Sequence, residues 1–299
     1  MLGAVSRQTL ALTESSIALT RNRPLASPLR EVISASASST PPSSSRHRAW
    51  KTSPSGVSES LRVVRCSSRT PSRDSSSATW RETAALDISS ALEAPTKLPA
   101  VLVIHENRGL NPHTEDVARR FALQNFIAFA PDALSSVGGY PGDDFKGGQL
   151  FGKIDRPKLT QDFVNCAQWL KTNPLSNGRV CVTGFCFGGG QSNVLATLLG
   201  PDLAAAAPFY GGNPPLPDVA KTKAAILIHH GGLDKQLVDA YPMYEAELKK
   251  NKIPYEGHIW PNSVHGFFND ATPERYNETT GPQAWARTIQ WFNQYARTT

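Results

Sequence analysis

The chain has 299 residues and a net charge of +6. It contains no apolar run of about 18 residues or more, the length that a membrane-spanning helix requires, so no membrane partner is expected. The charge is unevenly distributed: residues 1–97 hold 13 Lys and Arg against 7 Asp and Glu, whereas residues 98–299 hold 18 of each. The basic character therefore belongs to the amino-terminal third and predicts no nucleic-acid partner for the remainder.

Residues 1–97 are rich in Ser, Arg, Thr and Pro, most densely in residues 34–45 and 67–77. No period of 2 or 3.6 persists there, which predicts a disordered extension. Three interpretations stay open: an organelle transit peptide, a phosphorylatable or nucleic-acid-contacting tail, and an extension without function, such as a misassigned gene start. Residues 60–66 are compatible with a short strand.

From residue 98 onward, strand and helix patterns alternate. Strands are expected at residues 99–105, 126–130, 179–183, 204–209, 224–230 and 255–260. Helices are expected at residues 113–124, 159–172, 191–199, 240–250 and 283–295, with a long loop at 131–156. This alternation predicts an α/β domain over residues 98–299, with a mostly parallel, twisted sheet covered by helices on both faces. Sites in such sheets lie beyond the carboxyl ends of the strands.

The segment from Gly184 to Gly190 (GFCFGGG) joins a predicted strand to a predicted helix. A single residue flanked by glycines at such a junction is typical of a nucleophile elbow. Here that residue is Cys186, whose thiol must become a thiolate to react well. Cys186 is therefore the candidate nucleophile, and the chain should also supply a base.

Asp234 and His265 each follow a predicted strand and come after Cys186 in the chain. Nucleophile, acid, histidine is the chain order of α/β-hydrolases. His265 would relay the proton, and Asp234 would fix its tautomer and stabilise the imidazolium. The alternatives are that Asp234 caps a helix and that His265 is an ordinary loop histidine.

Glu106 follows the first strand, in the loop where these enzymes place the second oxyanion donor. The backbone N–H groups of Asn107 and Phe187 are therefore candidates to bind a developing oxyanion. A carboxylate such as Glu106 beside a thiol can hold it protonated at rest. The alternative is a surface carboxylate paired with Arg108.

Five further side chains at loop or strand ends could line a substrate pocket, although ordinary packing is an equal alternative for each. They are Arg108, Tyr140, Arg156, Tyr210 and Trp260. No CxxC or Cys/His cluster has zinc spacing, and His105, His229 and His230 lack ligand spacing, so packing or supporting roles are expected for them and no metal or cofactor is expected.

Six segments of the chain resemble the dienelactone hydrolase family of α/β-hydrolases. They are residues 105–122, 130–144, 184–190, 209–212, 231–234 and 265–270. The resemblance implies the α/β-hydrolase fold and hydrolysis of small esters or lactones through a Cys-His-Asp triad, with a glutamate beside the thiol. It assigns those roles to Cys186, His265, Asp234 and Glu106.

Two departures from the family pattern are visible. Members that cleave dienelactone carry an arginine four residues after the triad histidine, where this chain has Asn269. A neutral ester is therefore expected to be preferred, unless Arg108 or Arg156 grips a substrate carboxylate. The family also begins with extra strands, whose place residues 80–97 take without a matching pattern, so the amino-terminal edge of the sheet is expected to be truncated.

The leading interpretation is a hydrolase of small esters or lactones that forms a covalent acyl-enzyme, as a monomer or a dimer. The alternative is a catalytically silent α/β-hydrolase that acts as a binding protein. A third interpretation, a nucleic-acid binder, is supported only by the positive charge of the amino-terminal tail. An unpaired catalytic thiol favours a reducing compartment, which predicts the cytoplasm, or a plastid or mitochondrion if the amino terminus is a transit peptide.

Overall fold

The computed structural model describes residues 97–297 and the backbone of residues 63–66. Seven strands form one sheet in the order β1-β3-β2-β4-β5-β6-β7, and every neighbouring pair is parallel. The strands are β1 Val63–Cys66, β2 Leu98–Ile104, β3 Ile127–Pro131, β4 Ser176–Phe185, β5 Ala205–Phe209, β6 Ala225–Gly231 and β7 Tyr255–Trp260. The expected parallel sheet is thereby confirmed.

Helices cover both faces of this sheet because the strand side chains alternate between two apolar clusters. The helices are α1 Pro112–Leu123, α2 Asp144–Phe151, α3 Arg156–Thr172, α4 Phe187–Leu199, α5 Lys235–Lys250 and α6 Thr280–Ala296. Leu102 of β2 packs in the cluster beneath α3, α4 and α5, whereas Val101 and Val103 pack in the cluster beneath α1 and α6. None of these described helices combines the length and the apolar character that crossing a membrane requires.

Strand β1 lies within the segment that composition predicts to be disordered. It pairs with β3 at the edge of the sheet, with Val63 opposite Ala128 and Cys66 opposite Pro131. The short strand expected within residues 60–66 is therefore present, at the edge where truncation is expected. The other expectations for residues 1–62 and 67–96 fall outside the described residues.

Helix α2 occupies part of the stretch that the sequence predicts to be a long loop. Asp143 caps it by accepting a hydrogen bond from the Lys146 N–H at 2.8 Å. Two glycines weaken the helical pattern, but packing requires one of them: a Cβ at Gly147 would stand 2.1 Å from the carbonyl oxygen of Arg108. Helix α2 therefore lies directly against the loop that follows β2.

Candidate active site

Cys186 sits on the turn between β4 and α4. Its backbone has a φ of 54° and a ψ of −110°, a left-handed conformation that a non-glycine residue rarely adopts. The turn is held by two backbone hydrogen bonds, from the Cys186 N–H to Phe209 O at 3.1 Å and from the Gly190 N–H to Cys186 O at 3.0 Å. The half-buried thiol thus stands at the amino end of α4.

The glycines around Cys186 allow three backbone segments to approach one another. A Cβ at Gly184 would stand 2.2 Å from Gly188 O, and one at Gly188 would stand 2.2 Å from Ile104 O. A Cβ at Gly189 would stand 2.4 Å from Phe209 O. The start of α4 therefore packs between the ends of β2 and β5, a position that no larger residue permits.

His265 links Asp234 to the thiol. Its Nδ1 is 2.6 Å from Asp234 Oδ2, and its side chain also hydrogen-bonds to Cys186. The bond to Cys186, together with the bond to Asp234 and against the effect of burial, raises the pKa of His265 to about 9. The structure thus brings the three residues into one connected chain and favours a positively charged imidazole beside the sulfur.

The loop of residues 261–279, which carries His265 and is called the histidine loop below, is held by polar side chains. Asp270 accepts from Arg120 of α1 at 2.5 Å and pairs with the His113 ring at 3.0 Å. Ser263 and Thr280 hydroxyls are 2.7 Å apart at the base of the loop. Asp270 was not recognised in the sequence, because its partners lie on a helix some 150 residues earlier in the chain.

Glu106 is buried at the end of β2, where Tyr210 reaches it. The Tyr210 hydroxyl donates to Glu106 Oε1 at 3.4 Å, and the Tyr210 ring lies 5.1 Å from the His265 ring. Burial raises the pKa of Tyr210, and the nearby Glu106 and Cys186 raise it further, so the phenol keeps its proton. Tyr210 itself has a φ of 37°, a second strained position beside the thiol.

The two candidate oxyanion donors lie on segments that touch. Phe187 is the first residue of α4, and Asn107 lies in the loop after β2. Between them, a Cβ at Gly188 would stand 2.7 Å from the carbonyl oxygen of His105. Helix α4 therefore begins in contact with the loop that bears Glu106 and Asn107.

Three of the expected pocket residues pack around α2. The guanidinium of Arg108 lies over Gly148, where a Cβ would stand 2.4 Å from Nη1. The Tyr140 hydroxyl donates to Asp144 Oδ1 at 2.7 Å. Arg156 stacks on Phe151 of α2, at 4.1 Å from the ring centre, and on Phe187, at 5.2 Å, so it lies beside the residue that follows the nucleophile. Arg108 and Arg156 thus each have a packing partner within the protein.

Two other expected pocket residues have contacts away from the triad. The indole of Trp260 donates to Nδ1 of the buried His229 at 3.1 Å, on the face of the sheet covered by α6. Asn269 is 3 % exposed, and its Oδ1 accepts from the Ala271 N–H at 3.1 Å within its own turn. These contacts give both side chains a structural use.

Within residues 97–297, no group of three or more His, Cys, Asp or Glu side chains is arranged to hold a metal ion. The carboxyl ends of the strands instead gather a thiol, an imidazole and two carboxylates. Such a set can carry out nucleophilic and acid–base chemistry.

A parallel sheet covered on both faces, with a nucleophile elbow after a central strand, defines an α/β-hydrolase. The model of the Dienelactone hydrolase family matches residues 88–296. That match spans more than half of the chain, so the chain belongs to this family, and it is an ester or lactone hydrolase.

Individual relatives agree with this assignment. A protein of Escherichia coli called "Putative hydrolase fragment YghX" is 66% identical over 59 residues, which cover 20% of this chain and 50% of that protein. The "Putative carboxymethylenebutenolidase" of Salmonella typhimurium is 29% identical over 214 residues, 66% of this chain and 78% of its own. A crystal structure of a "Putative Dienelactone Hydrolase" from Klebsiella pneumoniae matches with a TM-score of 0.58 and 24% identity, covering 69% and 90% of the two chains, and supports the fold.

Proposed function

We propose that the protein hydrolyses a small carboxylic ester or lactone through a covalent acyl-enzyme on Cys186. His265 takes the thiol proton as the sulfur attacks the carbonyl carbon, a C–S bond forms, and the C–O bond to the alcohol breaks. His265 gives that proton to the departing alkoxide. Water then attacks the thioester with His265 as base, the C–S bond breaks, and His265 returns the proton to the sulfur, which releases the acid and restores the thiol. In a lactone the alcohol and the acid leave as one molecule.

The observation that carries this proposal is the continuous contact from Cys186 through His265 to Asp234 on a strained elbow. Asp234 accepts from the Nδ1–H of His265, so the other ring nitrogen faces the thiol. The raised pKa of His265 suits the imidazole to accept the thiol proton and then to protonate the leaving group.

Glu106 is proposed to control the charge of the thiol. Glu106 and Cys186 both lie near Tyr210, and a buried carboxylate beside a thiol disfavours a second negative charge until the substrate arrives. Tyr210 supports this role because its hydroxyl donates to Glu106 Oε1 at 3.4 Å and so orients that carboxyl group. The backbone N–H groups of Asn107 and Phe187 are proposed to hold the oxyanion that forms during both steps.

A small molecule is the proposed partner, with no metal or cofactor in the reaction. The unpaired thiol suits a reducing compartment, for which we propose the cytoplasm. A catalytically silent binding protein, the alternative function, would bind such molecules without turnover.

Steady-state hydrolysis of p-nitrophenyl acetate by the full chain tests the proposal. Cys186→Ala should lower kcat by several orders of magnitude, as loss of a triad nucleophile does. Cys181→Ala, which removes a buried thiol five residues earlier on β4, is the matched control and should retain turnover. Iodoacetamide should label Cys186 ahead of the buried Cys166 and Cys181. Near-normal turnover by Cys186→Ala would overturn the proposal.

A further inference from the structure

We infer that His105 is a positioning residue of the oxyanion site: it holds the carbonyl of the Glu106–Asn107 peptide, and so directs the N–H of Asn107 toward the substrate. The inference rests on the proposed function, since it names the group that prepares one of its two oxyanion donors.

The tautomer of His105 follows from its two partners. The Ala133 N–H donates to His105 Nε2 at 2.9 Å, so that nitrogen carries a lone pair. The proton of a neutral ring must then reside on Nδ1, which hydrogen-bonds to the carbonyl oxygen of Glu106. Complete burial lowers the pKa of His105, against the effect of Asp132, and this favours the neutral ring.

The carbonyl that His105 holds belongs to the same peptide unit as the Asn107 N–H. All peptide bonds of the described residues are trans, so this N–H points away from the carbonyl. Fixing the oxygen on the side of His105 therefore fixes the N–H on the opposite side. A loop peptide without such a partner could rotate and lose the donor.

Asp132, directly after β3, lies next to His105 and binds the backbone of the neighbouring segments. Its carboxylate is 5 % exposed and lies 3.7 Å from His105 Nε2. One oxygen accepts from the N–H groups of Leu110, at 3.1 Å, and Leu134, at 3.0 Å, while the other accepts from Tyr140, at 2.6 Å. This single carboxylate therefore ties the far end of the loop that follows β2 to the segment that follows β3.

Gly109 completes the arrangement because no side chain fits there. Its φ is 91°, and a Cβ would stand 2.5 Å from Leu134 Cδ1 and 3.3 Å from Asp132 Oδ1. The loop of residues 105–110 is thus fixed at both ends, by His105 at its start and by Asp132 at its close.

Two amide substitutions separate the two hydrogen bonds of His105. The side-chain amide of Asn can place its nitrogen near the position of Nδ1, so His105→Asn retains a donor to Glu106 O and loses the acceptor for Ala133. The amide of Gln reaches the position of Nε2, so His105→Gln retains the acceptor and loses the donor. The pair is matched in chemistry and differs in the bond that it keeps.

The readout compares two reactions of the same thiol in the full chain. Acylation by p-nitrophenyl acetate uses the oxyanion donors, whereas alkylation by iodoacetamide forms no oxyanion. Loss of one oxyanion donor costs about 10²–10³ in rate. We expect His105→Gln to lower kcat/KM about tenfold to a hundredfold with an unchanged alkylation rate, and His105→Asn to recover most of the acylation rate.

Asp132→Asn provides a second test if His105→Gln does not fold. It removes the charge and one acceptor, and it should lower acylation more than alkylation, in the same direction as His105→Gln. Equal losses of acylation and alkylation in the folded variants, or a better acylation rate in His105→Gln than in His105→Asn, would overturn the inference. A Cys186→Ala protein that still hydrolyses the ester would instead overturn the proposed function, whatever the His105 variants do.

Discussion

The nucleophile elbow around Cys186 and the histidine loop bring their catalytic groups together by different means. The elbow is fixed by backbone atoms that approach within the space of a missing Cβ, as at Gly184 and Gly188. The histidine loop is fixed by ion pairs and hydrogen bonds of side chains, with Asp270 bound to α1.

This difference has a physical consequence for each half of the site. Closely packed backbone segments cannot shift to make room for an added atom, so a new side chain there disturbs the fold itself. Polar side-chain contacts can be weakened one at a time and respond to pH and salt. We therefore expect a side chain added at a close approach in the elbow, such as Gly188, to destabilise the fold, and substitutions in the histidine loop to change the rate and its pH dependence.

The largest effect is expected for Gly188→Ala. The added Cβ would stand 2.2 Å from Ile104 O, and neither backbone segment can move aside. Overpacking of this kind costs about 3 kcal/mol of unfolding free energy. Gly190→Ala, two residues on, is the control, because its Cβ would meet nothing closer than 3.7 Å.

Urea unfolding and esterase activity of both variants provide the measurement. Gly190→Ala should fold and remain active, whereas Gly188→Ala should unfold at a clearly lower urea concentration. Similar midpoints for the two variants would show that steric fit does not hold the elbow.

A smaller effect is expected for Asp234→Asn, through His265. The wild-type kcat/KM should fall as pH rises through about 9, because the imidazolium that protonates the leaving group is lost there. The contribution of His265 to stability has the same sign: it is complete below the ordinary pKa of 6.5 and lost through about pH 9. In Asp234→Asn the fall in rate should begin at lower pH.

The pH profile of p-nitrophenyl ester hydrolysis measures this shift. The plateau rate of Asp234→Asn should also drop by about a hundredfold or more. Asp239→Asn, an exposed substitution on helix α5, which begins directly after Asp234, should keep the wild-type profile. An alkaline limb that stays in place in Asp234→Asn would contradict the assignment of the triad acid.

Asp270→Asn should have a more moderate effect. Burial raises the pKa of Asp270, but the hydrogen bonds from His113 and Arg120 outweigh it and bring the pKa to about 2. The carboxylate therefore stabilises the protein above about pH 4, and this contribution is lost as pH falls through about 2.

At neutral pH Asp270→Asn should cost about 2 kcal/mol, the scale of a hydrogen bond to a charged group. Thermal unfolding across pH checks this, and the gap to wild type should close in acid. Asp218→Asn breaks a surface pair with Lys221 and should change stability by less than about 0.5 kcal/mol. A gap that persists unchanged to pH 2 would show that Asp270 does not anchor the loop through its charge.

The smallest effect concerns the charge of the substrate. Asn269 uses its amide in its own turn, and Arg108 and Arg156 pack on α2 and Phe187, so a neutral ester should be preferred. We expect kcat/KM for p-nitrophenyl valerate to exceed that for mono-p-nitrophenyl glutarate several-fold. A tenfold preference for the glutarate ester would contradict this expectation. If that preference were abolished in Arg275→Gln, it would show that Arg275 binds the substrate carboxylate, since its guanidinium lies against Gly266 beside His265.

Much of the fold was predictable because buried parallel strands leave a strong signal. β2 is apolar throughout, and the elbow glycines mark the end of β4. The candidate triad followed from the rule that sites lie beyond strand ends, and the structure brings Cys186, Asp234 and His265 together there.

The remaining features depend on contacts between distant segments, which one sequence does not display. Helix α2 was missed because Gly147 looks like a helix breaker until Arg108 is seen to occupy the space of its Cβ. Trp260 ends a strand, but it contacts His229 on the face covered by α6. The positioning role of His105 could not be predicted, because its hydrogen bond with the Ala133 N–H is formed only in the folded chain.

A covalent acyl-enzyme on Cys186 can be detected by mass spectrometry of the full chain quenched in acid during turnover of p-nitrophenyl acetate. We expect a species heavier by one acetyl group, carried on the peptide that contains Cys186 and absent from Cys186→Ala. Hydrolysis that proceeds with no acylated species, or with the acetyl group on another residue, would contradict it.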